Sequence, residues 1–210
     1  VDRQQGRDIA TYQSNEMLDI RKPSEDRPMT LVCGIFGYKE VVKNLDYNNP
    51  GATEGVAQQP DGSWLVTYQL EPLKKGDVTV MYSVSFYKDA VIMTPASQQE
   101  LDQLADLMQA NPAYRIKIHG HTNGNYNKRK IIALGKNDNY FDMQGSDERN
   151  GSSKELSKLR AQTVQDYLAT KGIAKNRSEI FAWGGTNMLV SETSTSARLN
   201  DRIEIEILAD

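Results

Sequence analysis

The two histidines of the chain stand two positions apart in "IHGHTNG", with His119 and His121 on either side of Gly120. On a β-strand that spacing puts both imidazoles on one face, as a metal site would need. Such a site asks for a third and usually a fourth ligand. The single cysteine, Cys33, is remote in sequence, so carboxylates or water would have to complete the shell. The metal reading is therefore weak. Covalent catalysis finds less support still. Ser157 has no histidine at a suggestive spacing, and the nearby carboxylates show no acid/base pairing. The expectation is no catalytic residue, no metal and no cofactor.

Arg160 is the second group whose position asks for chemistry. From Ser152, which opens a capping-box pattern with Glu155, to Gly172 after Lys171, the chain reads as a helix. Its apolar stripe runs through Leu156, Leu159, Val164, Tyr167 and Leu168. Arg160 falls inside that stripe, four residues from both Leu156 and Val164. A guanidinium facing a core is costly unless paired. It sits at the rim with its stem buried, or pairs with an interior carboxylate, or forks onto the carboxylate of a ligand. Periodicity does not choose among these.

The elements that position these residues are legible. Thr94-Pro95 and Ser97 start a helix through Leu101, Leu104, Leu107 and Met108, which Asn111-Pro112 ends. "YRIKIHGH" alternates as a strand, "SEIFAWG" reads as another, and "RIEIEIL" places Ile203, Ile205 and Ile207 on one face. "KKGDVTVMYSVSFY" alternates at Val78, Val80, Tyr82 and Val84. The order β-α-β-α-β-β predicts an α+β fold, a mixed sheet with two helices packed on one face. Ahead of it, "MTLVCGIFG" carries Cys33 as a buried structural thiol, and "PDGSWLVTYQLEP" has an Asp-Gly turn feeding a strand. The expected division is an extended arm over 1–28, a small β-rich, sandwich-like domain over 29–79, and the α+β domain over 80–210. A polar insert spans 124–151.

Bulk properties narrow the partners. A formal net charge of −3 argues against nucleic acid, which needs a basic face. No apolar run approaches the length of a membrane span. Residues 1–30 are too polar to be a signal peptide, so the chain reads as mature or as a fragment.

Taken in order, "GHTNG", "LSKLRAQTVQDYLATKGIAKNR", "AWGG" and "LNDRIEIEI" resemble the OmpA-like peptidoglycan-binding domain, over about residues 80–210. The resemblance implies a non-catalytic module that grips meso-diaminopimelate of the stem peptide and anchors an outer-membrane-associated complex to the wall from the periplasm. The family's Arg role falls on Arg160 and its Asp role on Asn123, a departure that removes the charge meant for the ligand's ammonium. Thr122 matches the family threonine, Phe86 and Tyr87 the strand end near the ligand, and Leu156 the groove leucine. The same resemblance implies that the His121 ring hydrogen-bonds the turn and that His119 points outward. Ser153 stands where the family has Asn. The insert lengthens the turn-to-helix link by about twenty residues. Its Asp138, Asp142, Asp147 and Glu148 are candidates for the missing carboxylate. The insert and "WGGTNML" are similar to a PorE-type subgroup of the type IX secretion and gliding machinery. The β-rich part is similar to a carboxypeptidase-regulatory-like domain there, which implies secretion-complex or other envelope partners. The alternative is a protein-interaction module that has lost wall binding.

Overall fold

The computed structural model of the 210-residue chain describes residues 16–19, 28–35, 37–135 and 139–209. The arm expected over 1–28 lies outside the described residues except at 16–19 and 28, which carry no helix or strand. The chain divides into two units, 1–72 and 73–210.

In the first unit, β1 (Met29–Cys33) pairs antiparallel with β2 (Val41–Leu45), and β3 (Val56–Gln58) with β4 (Trp64–Val66). The β3–β4 turn is built on Asp61-Gly62. Asp61 Oδ1 accepts from Ser63 N at 3.0 Å, and Gly62 takes φ +88°, which a Cβ disfavours. Two separate two-stranded sheets form among the described residues, not the expected sandwich. The three-residue strands β3 and β4 leave Trp64 and Leu65 exposed, too little continuous apolar face for a second layer. Cys33 is half-buried where a buried thiol was expected, and that burial pushes its pKa up.

The second unit runs β5 (Val78–Val80), α1 (Ser97–Ala110), β6 (Arg115–His121), β7 (Arg129–Ala133), β8 (Asp147–Gly151), α2 (Ser153–Thr170), β9 (Ser178–Gly184) and β10 (Ile203–Ala209). Its main sheet is ordered β5-β10-β6-β9, antiparallel except for the parallel β6–β9 pair. This is the mixed sheet with two helices that the element order predicts. Because β5 pairs with β10, the boundary falls at 72/73 and not at 79/80. β5 is also shorter than its alternation predicts. The chain turns back directly after it, Val84 N reaching Met81 O at 3.3 Å.

The core lies between sheet and helices. The register Ile205↔Ile118 and Ile207↔Ile116 sets isoleucines side by side, each at most 1% exposed. Leu101, Leu104 and Met108 of α1 and Leu156, Val164 and Leu168 of α2 are equally sealed. The helices are tied to each other where Tyr167 Oη donates to Asp102 at 2.7 Å and Lys171 pairs with Asp102 at 2.8 Å. Gly120 is what lets α2 approach β6: a Cβ there would stand 2.0 Å from the Ser157 carbonyl oxygen. The predicted cap holds, with Ser152 Oγ accepting from Glu155 N at 3.1 Å.

The insert is not the open loop its composition predicts. β7 and β8 pair antiparallel, and Ile131 is fully buried with Ala90, Val91, Ile92 and Leu156. Val91 N donates to Ile132 O at 2.9 Å and Ile132 N to Asp89 O at 2.8 Å, so the hairpin is stitched to the segment before α1. The apolar pair Ile131-Ile132 in "KRKIIALG" was the signal for it.

Candidate functional site

Capped at Ser152 and pressed onto β6, α2 carries Arg160 inward at 1% exposure. The side chain is not at the rim. Its Nε donates to Ala90 O at 2.9 Å, its Nη1 pairs with Asp201, and its Cζ lies 4.7 Å from the Phe86 ring centroid. Burial pulls the guanidinium pKa down, and Asp201 opposes this. Asp201 keeps 31% of its side chain exposed, so it is the solvent side of the pair. Nη2 has no hydrogen-bond partner among the described residues.

A second acid–arginine pair stands beside the first. Asp89 is the single non-glycine residue at positive φ among the described residues, at +56°. Asp tolerates that conformation better than most side chains, and the pairing with β7 holds it there. Arg129, brought by β7, donates from Nη2 to Asp89 Oδ1 at 2.6 Å and from Nη1 to Ser153 Oγ at 3.2 Å and Asn123 O at 3.4 Å. Its Nε is buried without a partner. Ser153 in place of the family Asn thus receives an arginine from the insert. Asp89 and Asp201 are the acids that act on Arg160. The insert carboxylates are occupied or elsewhere: Asp142 Oδ1 accepts from Gln144 N at 3.0 Å, Glu148 pairs with Lys130, and Asp147 is exposed on β8. Asp138 lies outside the described residues.

Asn123 has a physical reason to be neutral. Asn200 is fully buried, and its Oδ1 accepts from Leu189 N and Val190 N at 2.8 and 3.1 Å, which fixes its amide orientation. Its Nδ2 then donates to Asn123 Oδ1 at 2.8 Å, and Asn123 Nδ2 to Glu192 O at 3.1 Å. An aspartate at 123 would set oxygen against the Glu192 carbonyl. Two of the expected ligand contacts lie inside the fold. Leu156 is fully buried in the cluster with Ala90 and Ile131. The Thr122 side chain turns inward at 1% exposure, its hydroxyl donating to Gly124 O at 3.2 Å. Phe86 and Tyr87 are half-buried, Phe86 under Arg160 and Tyr87 against the core cluster.

The histidines face the other side of the sheet. His119 is 8% exposed, not outward, with Trp183 Nε1 donating to its Nδ1 at 3.1 Å and its Nε2 2.9 Å from Glu206. His121 does not bond the turn. Its ring is sealed and stacked on Trp183 at 5.9 Å. His121 Nε2 is 3.3 Å from Glu204 Oε2, near enough for attraction but misaligned for a hydrogen bond, so both ring nitrogens lack one. Burial pushes Glu204 up, but His121 and Arg202 outweigh it and hold its carboxyl at about 2. No group of three or more metal-ligating side chains converges among the described residues. Asp89, Arg129 and Asp201 are the charged neighbours of Arg160 that periodicity missed. Asp89 stood three positions after Phe86, Arg129 ahead of Ile131-Ile132, and Asp201 inside "LNDRIEI".

A family model described as the OmpA family matches residues 85–202. The chain is 28% identical over 125 residues to the peptidoglycan-binding protein ArfA of Mycobacterium tuberculosis, covering 59% of this chain and 32% of that protein. It is 26% identical over 133 residues to outer membrane porin F of Pseudomonas fluorescens, covering 63% and 34%. The chain thus spans about a third of the length of these relatives. Among solved structures, the periplasmic domain of Helicobacter pylori MotB aligns with a TM-score of 0.48 at 18% identity, covering 75% of this chain and 89% of that one.

Proposed function

This chain belongs to the OmpA family, and from that premise we propose that residues 73–210 hold peptidoglycan, without catalysis, at the charged quartet of Arg160, Asp201, Arg129 and Asp89. The observation that carries the reading is the unspent arm of Arg160. Two of its donors are fixed by Ala90 O and Asp201, while Nη2 has no partner among the described residues and Asp201 beside it reaches solvent. A ligand carboxylate takes Nη2 with help from Arg129, and a ligand ammonium takes Asp89 and Asp201. A free amino-acid end bears both groups on one carbon, and meso-diaminopimelate of the stem peptide presents such an end. Asn123 acts by holding the 185–200 loop over the site, with Phe86 and Tyr87 as its floor and flank.

Such a ligand puts the domain in the periplasm, in association with the outer membrane. The finer assignment is a PorE-type component that ties a type IX secretion assembly to the wall, with other envelope proteins as partners. Its support is the insert and the "WGGTNML" stretch. A second reading, a protein-interaction module on the same fold, is favoured by two observations: Asp201 already meets the charge of Arg160, and the Asn123 amide is fully committed.

The test is sedimentation with isolated sacculi and calorimetric titration of a diaminopimelate-containing tripeptide. Acetylating the free amine of the tripeptide is expected to weaken wild type by about ten-fold, as a charge-assisted hydrogen bond is lost. The Asp89→Asn/Asp201→Asn double variant should show no further loss. Failure of wild type to sediment or bind would discard wall attachment and leave the interaction module.

A further inference from the structure

We propose that the cleft beside the start of α2 is a saccharide subsite for an N-acetylated hexosamine of the wall's glycan strand. It rests on the peptidoglycan reading and adds a second point of contact to it.

The cleft has a volume of about 500 Å³, enough for a substituted sugar ring. Tyr126, Phe181 and Trp183 give it aromatic walls, and Asn125, Asn127 and Lys154 give it polar groups. This is the composition a hexosamine asks for. The C–H face of a sugar ring lies on the electron-rich face of an aromatic ring. Side-chain amides donate to and accept from hydroxyl and acetamido groups, and an ammonium donates to the same oxygens.

The aromatic walls are held in place before any guest arrives. The Trp183 indole is fixed by its bond to His119 Nδ1 at 3.1 Å and by its stack on His121. Phe181 meets Trp183 edge-on at 5.0 Å between centroids. Even so, Phe181 remains 45% exposed and Tyr126 46% exposed. Tyr126 is tied down by its backbone N, which donates to Ser153 Oγ at 2.9 Å, and by the bond from its hydroxyl to Glu192. The glycine pair after Trp183 lets the end of β9 pack on the turn before Tyr126, since a Cβ on Gly185 would stand 2.1 Å from Gly124 O. Walls that are already ordered cost little entropy on binding.

The cleft is linked to the quartet through Ser153, whose Oγ accepts from Tyr126 N and from Arg129 Nη1. In peptidoglycan each stem peptide hangs from a sugar, and a peptide seated at Arg160 keeps its own glycan close. The role of the two histidines follows from this placement: they brace Trp183 from behind.

The test compares three probes on the full chain: the tripeptide, the same tripeptide on its disaccharide, and the disaccharide alone. Wild type is expected to bind the disaccharide-tripeptide about five-fold tighter than the tripeptide, the gain of one ring stacked on an aromatic wall. Phe181→Ala, at an exposed position, should erase that gain and leave tripeptide affinity unchanged. Equal affinity of wild type for both ligands overturns the proposal, as does a gain that survives in Phe181→Ala. If neither peptide ligand binds, the peptidoglycan reading at the quartet has failed, and saturation-transfer NMR with the disaccharide alone decides the cleft. Transfer to ring and acetyl protons that vanishes in Phe181→Ala supports the subsite, and no transfer in wild type sinks it.

Discussion

Replacing Arg160 separates two roles that are easily confused in a binding assay. In Arg160→Ala the Ala90 carbonyl loses its donor inside the protein, an unsatisfied buried acceptor worth about 1–3 kcal/mol. The stack on Phe86 goes as well, about 0.5–2 kcal/mol, and a fully buried side chain leaves a void. Asp201 adds little, because its exposed side rehydrates once the partner is gone. The whole comes to about 3–5 kcal/mol, the range for breaking a buried pair from one side. That is a large part of the about 5–15 kcal/mol that holds a domain folded. Loss of wall binding in Arg160→Ala would therefore report unfolding as readily as a missing ligand contact. Arg160→Lys keeps the charge but cannot serve Ala90 O, Asp201 and a ligand at once. It is expected to lose about 1–2 kcal/mol of stability while binding of the tripeptide falls at least ten-fold. Urea unfolding followed by hydrogen exchange on α2 measures the first quantity, and calorimetry the second. Destabilisation of Arg160→Ala by less than about 1 kcal/mol would refute the claim that this guanidinium is part of the core.

Asn123→Asp, which restores the family acid, is expected to destabilise by about 1–3 kcal/mol by setting a carboxylate oxygen on the Glu192 carbonyl. Faster amide exchange at Leu189 and Val190 would register it. Gly120→Ala forces a methyl group onto the Ser157 carbonyl, and little soluble folded protein is expected by size-exclusion chromatography. Glu204 ionises at about 2 in the fold against an ordinary 4.5. The folded value is the lower one, so its contribution is complete above the ordinary value and is lost as pH falls from about 4.5 through 2. Glu204→Gln should flatten the acid limb of a thermal melt against pH; an unchanged limb would show that other groups govern it.

Much of the second unit was legible because its signals are periodic and local. The isoleucines of β10 alternate, α2 is bracketed by Ser152 and Gly172, and the glycine between the histidines marks a close approach. Arg160 stood out for the same reason, as a charge inside a stripe. What did not show was where its counter-ion comes from. Asp201 and Asp89 lie on separate segments, and only the tertiary fold brings both to one arginine. The hairpin was hidden by composition, since one short apolar run, Ile131 to Leu134, commits it to the core within an otherwise polar segment. Trp64 and Leu65 read as strand signals without showing that β3 and β4 would be three residues long.

The way the hairpin is attached limits what can be done to this region. Most lengthened surface loops can be trimmed without harm, because nothing beneath them depends on the extra residues. Here Ile131 fills the hollow between Leu156 and the Ala90–Ile92 segment, and the hairpin backbone saturates Asp89 O and Val91 N. Cutting it back to the shorter link would uncover the helix leucine, unpair two main-chain groups and remove Arg129 together with its hold on Asp89. A variant with the hairpin cut back would therefore need bulkier side chains around Leu156 to close that hollow.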